Sequence, residues 1–402
     1  MRRSLLDHDE DPEVRRALGL LTVGRLTSNS GYRFAPPFLA VIAGDLDVSL
    51  ATLGAVVAVS ELAGLAAPAI GRLADRLDRR HALIGGLLGV AAGSALAGAA
   101  PHPVVLAVAL FALGWCKILF DAALLGWLAD RVPYERRARV IALNETSWAL
   151  SMLIGVPVMG LVTAAASWRW GFAAGALAMV LLAMMIARRV LPDLHRAGRH
   201  RDVGRHETTG RAALSRSGWG LVASLGAMMA AVQAVTVTFG SWLEERHGLG
   251  VVALAGVTLG LGVVELSGAL SVARVTDRWG KRRSVLVGTA VMIPAAVLLA
   301  VGGDVLLLGM LALLAFIAGF EFAMVASVSL STQLVPGQPA AGFGLMIGAG
   351  TLGRVAASYV ATVLYEQAGM WLPAIVAAAL VAVTTIGVAR SRAVTEVVPQ
   401  PR

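Results

Sequence analysis

Only one cysteine, Cys116, occurs in the 402 residues, which excludes a disulfide framework and a thiolate-built metal site. Charge is scarce too. Asp, Glu, Lys and Arg make up 15% of the chain, against about 25% in an average soluble protein. Aromatic residues reach 6% and do not interleave with the basic ones, so the net charge of +9 carries no nucleic-acid footprint. No G-x-x-x-x-G-K-[ST] loop is present, which excludes direct ATP hydrolysis by that route. His195, His200 and His206 fit no structural zinc spacing, and neither a metal nor another cofactor is expected. What fills the chain instead is apolar: 57% hydrophobic residues and a mean hydropathy of +0.75. Its apolar runs reach bilayer length, about 18 residues or more, which a water-soluble core does not need.

The sequence predicts an all-α polytopic membrane protein of twelve spans. They are 17–43, 52–70, 82–100, 104–129, 140–166, 171–187, 219–242, 251–273, 284–302, 305–331, 342–365 and 371–389. Of the 34 Lys and Arg residues, 28 fall in the termini and in the loops on the same side of the membrane, and only Arg169 and Arg246 in loops on the other. That bias predicts that both termini lie in the cytoplasm, and a composition rich in Ala, Gly and Arg over Lys points to a bacterial inner membrane. Residues 1–16, mixed in charge, read as a cytoplasmic tail and not a signal peptide. Residues 188–218, with eight Arg in 188–217, read as a basic linker between two six-helix bundles, 17–187 and 219–389. Residues 390–402 form a second tail.

The halves repeat. Gly71-Arg72-Leu73-Ala74-Asp75-Arg76-Leu77-Asp78-Arg79-Arg80 recurs 202 positions later as Ala273-Arg274-Val275-Thr276-Asp277-Arg278-Trp279-Gly280-Lys281-Arg282. Glu61-Leu62-Ala63-Gly64 answers Glu265-Leu266-Ser267-Gly268, Val132-Pro133 answers Val335-Pro336, and Trp168 answers Trp371. A steady offset over an even number of spans describes parallel repeats about an axis along the membrane normal.

These motifs resemble the major facilitator superfamily over nearly the whole chain. The turn carrying Gly71, Asp75, Arg76, Arg79 and Arg80, and its second copy carrying Asp277, Arg278, Gly280 and Lys281, look like that family's signature between helices two and three. The resemblance implies a cytoplasmic gate locked through Asp75 and Asp277. Gly155-Val156-Pro157-Val158-Met159-Gly160 resembles the helix-five stretch of proton-driven exporters, which implies efflux by antiport. Those exporters carry a helix-four arginine where this chain has Leu110, with Lys117 two turns further on the same helical face.

Nine ionisable residues lie inside the spans: Arg25, Arg33, Glu61, Lys117, Asp121, Glu145, Glu265, Glu321 and Arg354. Each costs about 2.5–3.5 kcal/mol at a helix centre, so they must face one another, a cavity or a helix end. Glu61 and Arg354 lie at similar depths, about 15–16 Å from their helix ends at 1.5 Å per residue, and are expected to bridge, with Arg25 as the rival partner of Glu61. Lys117 and Asp121 are spaced to pair along one helix, and Glu145 sits near a helix end. The resemblance implies that helices one, four, seven and ten line the solute path. That selects Asn29, Tyr32, Arg33, Lys117, Asp121, Gln233 and Glu321 as path residues, with Thr236 and Thr238 nearby. Gly348-Ala349-Gly350-Thr351-Leu352-Gly353 matches G-x-G-x-x-G but has no preceding strand, and reads as helix packing. The expected protein is no enzyme. It is a monomeric secondary transporter working by alternating access on a small solute, exported in exchange for protons, with uptake of a sugar, organic anion or other metabolite as the alternative and a non-transporting sensor as a distant one.

Overall fold

The computed structural model describes residues 12–131, 144–189, 216–331 and 339–391. Among the described residues every regular element is helical, and twelve spans follow in order. α1 is Pro12–Arg33, continued by Leu39–Leu46 after a break. α2 is Leu50–Glu61 and Ala67–Arg76 joined by one turn. α3 is Arg79–Gly98, α4 Pro103–Arg131, α5 Asn144–Ala165 and α6 Trp168–Arg189. α7 is Arg216–His247, α8 Val251–Trp279, α9 Lys281–Gly302, α10 Leu306–Ser331, α11 Pro339–Ala368 and α12 Trp371–Arg390. Eleven of them are long and apolar enough to cross a membrane unbroken.

The first span departs from a continuous 17–43 helix for a local reason. Pro36 and Pro37 bring no N–H to the ladder, and Pro36–Phe38 forms a single 3₁₀ turn. Phe34 and Phe38 face each other there at 5.0 Å between ring centroids, and Phe172 of α6 meets Phe34 edge-on at 4.8 Å. Two other irregularities have the same origin. Pro68 follows the 3₁₀ turn Leu62–Ala66, and Pro157 follows a π turn at Ser151–Gly155. In each case the ring would collide with the carbonyl four residues earlier, so the helix rewinds around it.

The charged repeats are more helical than a turn. Gly71–Arg76 completes α2, and Ala273–Trp279 completes α8. Charged residues at the end of a span can continue the helix into the polar layer, so the turns shrink to Leu77-Asp78 and Gly280. The two copies start the next helix differently. Asp78 caps α3 by accepting the His81 N–H at 3.1 Å, whereas Gly280 takes φ 84°, where a side chain would be strained. Asp78→Ala should cost about 1 kcal/mol of stability and Asp78→Gly a few tenths, read as thermal unfolding of the purified protein in detergent.

The described residues form two compact units. One takes those within Met1–Val48, Val59–Gly204 and Leu249–Val263, the other those within Ser49–Ala58, Arg205–Gly248 and Val264–Arg402. The first turns of α2 belong to the second unit and the first half of α8 to the first. Glycines make both exchanges. A Cβ on Gly54 would meet Ser358 O of α11 at 2.6 Å, and one on Gly262 would meet Leu153 N of α5 at 2.4 Å.

Repetition extends to packing. A Cβ on Gly86 of α3 would lie 2.8 Å from the Phe120 nitrogen of α4; on Gly288 of α9 it would lie 2.7 Å from the Ala323 nitrogen of α10. Likewise Arg80 donates to Ala187 O at the end of α6, and Arg282 to Ala389 O at the end of α12. Both pairs of positions are 202 apart. A guanidinium on the last carbonyls of a helix satisfies acceptors the helix leaves open and complements its dipole.

Candidate functional site

In the first unit, α1 and α5 present polar stripes at helical spacing, Thr22, Arg25, Asn29 and Arg33 on one, Asn144, Ser147, Trp148 and Ser151 on the other. They meet rung by rung. Thr22 Oγ1 donates to Asn144 Oδ1 at 3.3 Å, Asn29 Nδ2 to Ser147 Oγ at 3.4 Å, and Arg33 Nη1 to Trp148 O at 2.9 Å. Gly155 lets the helices close, since a Cβ there would lie 2.6 Å from Ser30 Cβ. Asn29 Oδ1 and Asn144 Nδ2 are buried without a hydrogen-bond partner among the described residues.

Arg25 is the hub. Its Nη1 and Nη2 donate to the two oxygens of Glu145 at 2.8 and 3.1 Å, its Nε to Asp121 Oδ1 at 3.2 Å and its Nη1 also to Asn144 O at 3.2 Å. Lys117 holds the other oxygen of Asp121 at 2.5 Å. Asp121 therefore sits between an ammonium and a guanidinium, and two cations are balanced by two carboxylates. Arg25, expected as the rival partner of Glu61, is committed to Glu145 and Asp121 because its planar fork matches a carboxylate two-point. Glu61 instead accepts from the Tyr32 hydroxyl at 2.9 Å.

Aromatic rings complete the cluster. The Arg33 guanidinium carbon lies 4.4 Å from the Trp148 ring centroid, and Lys117 Nζ lies 5.6 Å from that of Tyr32 and 5.8 Å from that of Trp148. Lys117 is buried, whereas Tyr32, Arg33 and Trp148 are partly exposed. Trp148 and Asn144 were absent from the sequence-derived set. The three- and four-residue spacing of Asn144, Ser147, Trp148 and Ser151 was the signal that could have found them.

The second unit holds the remaining residues. Gln233 Nε2 donates to Ser358 Oγ at 2.8 Å, tying α7 to α11, and Ser358 donates to Arg354 O one turn back. Glu265 of α8 and Glu321 of α10 are buried, and a Cβ on Gly268 would lie 3.0 Å from Glu321 Cβ. Thr236 and Thr238 bond back to carbonyls of their own helix. Gly353 lies so close to α7 that a Cβ would meet Gly226 O at 2.3 Å, which is the helix packing expected of the G-x-G-x-x-G match.

At the charged repeat, Arg79 bonds Asp130 at 3.3 Å and Ala74 O at 3.0 Å, over Gly126. Asp130, at the end of α4, was not singled out from sequence. Arg76 is exposed, Gly71 has open space beside it and Lys281 opens α9. Pro157 and Gly160 of the helix-five stretch are buried, Gly160 against Phe38 and Ala255. The side chains of Asp75, Asp277 and Arg278 lie outside the described set, as do the Val132-Pro133 and Val335-Pro336 segments and the three linker histidines.

The profile of the Major Facilitator Superfamily matches residues 21–333. The uncharacterized MFS-type transporter Rv0849 of Mycobacterium tuberculosis is 28% identical over 364 residues, 83% of each chain. The uncharacterized MFS-type transporter YwfA of Bacillus subtilis is 25% identical over 153 residues, 38% of this chain and 37% of that one. Among solved structures, the nucleoside transporter NupG aligns with a TM-score of 0.76 over 94% of this chain and 99% of the other. A bacterial homologue of the human lysosomal transporter Spinster, inward-facing and occupied, aligns at 0.75 over 95% and 93%. Both are 14% identical and show the fold. Twelve helical spans, a packing scheme repeated at a constant offset and a profile match over most of the length lead to one conclusion: the chain belongs to the major facilitator superfamily of membrane transporters.

Proposed function

We propose that the protein is a secondary carrier in which a small solute and a proton bind together and cross by alternating access between two bundles, both termini lying in the cytoplasm. The observation that carries this reading is Asp121, bonded at once by Lys117 and Arg25 inside a membrane-spanning unit. A proton on Asp121 removes the charge that holds Lys117 and frees the ammonium for a solute. Solute and proton then favour each other's binding, which is the linkage a cotransporter needs. The outward, antiport direction expected from the helix-five stretch draws on Gly155 and Gly160, and both serve close helix contacts with Ser30 and Phe38.

Proteoliposomes offered a panel of small acids, sugars and amines, with and without a pH gradient, test this. At least one solute should accumulate on the alkaline side, and collapsing the gradient should abolish the accumulation. Solute moving towards the acidic side would show antiport and overturn the reading.

A further inference from the structure

We propose that the solute is an amphiphilic organic anion, whose oxyanion is held by Lys117 and whose apolar body lies along Tyr32 and Trp148. This rests on the carrier reading above but adds to it the chemical class of the cargo.

An ammonium has three N–H donors and no acceptor. Lys117 is 8% exposed, and among the described residues its one hydrogen bond is to Asp121. Its other neighbours are the faces of Tyr32 and Trp148, which attract a cation but take the place of no strong acceptor. Among the described residues, two donors of a buried cation are thus left without an acceptor, beside two aromatic rings. The neighbouring cation, Arg25, has less to spare: four of its five N–H donors go to Glu145, Asp121 and Asn144 O. Arg33, 4.4 Å from the centroid of the same Trp148 ring, adds positive potential nearby. Of the acids bonded to these groups, Asp121 is already shared by two cations and Glu61 accepts from the Tyr32 hydroxyl. A carboxylate or sulfonate on a flat apolar body matches this arrangement: oxygen lone pairs for the spare ammonium donors, and apolar surface for the rings.

Calorimetric titration of the purified full chain with naphthoate, naphthylmethylammonium and naphthylmethanol separates charge from shape. Naphthoate should bind about tenfold or more tighter than the other two, the margin of one charge-assisted contact. Lys117→Met should erase that margin and Lys117→Arg should keep most of it, while Trp148→Leu should weaken all three probes together. Equal affinities, preference for the ammonium, no binding by any probe, or an anion preference that survives Lys117→Met would each overturn the proposal. The ranking in the unsubstituted protein decides even if Lys117→Met fails to fold. In proteoliposomes, naphthoate moving with one proton is electroneutral, so a potassium diffusion potential should not change its rate. Binding in this order without movement would sink the carrier reading and leave the site standing. Movement of other solutes without this order would do the reverse.

Discussion

Arg25→Met is expected to abolish solute movement and to cost about 3 kcal/mol of stability, chiefly because it takes one of two cations from Asp121, whereas half-exposed Glu145 is left to polar surroundings. Arg25→Lys should recover only part, since an ammonium cannot bond both oxygens of Glu145 while reaching Asp121. The informative variant is the double one, Arg25→Met with Glu145→Gln. It removes one charge of each sign and leaves the Lys117–Asp121 bond in place, so it should be more stable than Arg25→Met alone. Thermal unfolding of detergent-purified protein, run as a double-mutant cycle, reads the coupling directly. A cycle that closes to zero would mean that Arg25 and Glu145 do not interact.

The second large effect lies in the helix packing. Leucine at Gly86 or at Gly288 should cost about 3 kcal/mol, the upper end for overpacking, because the added Cβ meets backbone and not a side chain that can swing away. The two substitutions should behave alike, since the contacts they break are repeats of one another. Gly348→Ala is the control: nothing lies within 4 Å of a Cβ there, and the substitution should be neutral or slightly stabilising in a helix. Monodisperse yield by size-exclusion chromatography orders the three. Equal yield from all would show that the α3–α4 and α9–α10 contacts are looser than described.

Much of this architecture could be read from the chain because membrane physics is strict. A span must be apolar, long and internally hydrogen-bonded, so hydropathy located the helices, and the matching of Glu61 with Glu265 and Trp168 with Trp371 located the repeat. The misses have equally physical causes. Helix ends ran past the apolar runs because charged residues such as Arg76 and Arg274 can continue a helix into polar surroundings. The break at Pro36-Pro37 was hidden by apolar neighbours. The partners of Arg25 could not be ranked by depth along a helix, since depth says nothing about which face a residue occupies. Arg25 and Glu61 differ little in depth, yet Glu145 and Asp121 lie on the faces that Arg25 meets. Trp148 stands out only when the polar residues at its helical spacing, Asn144, Ser147 and Ser151, are counted with it.

If Asp121 links proton and solute, gradient-driven accumulation and solute exchange at equal pH should part company in proteoliposomes of Asp121→Asn compared with those of the unsubstituted protein. Asparagine cannot ionise, so accumulation should vanish, while exchange of solute for solute, which needs no net proton movement, should continue. Accumulation that persists in Asp121→Asn, following the pH gradient as before, would contradict the account.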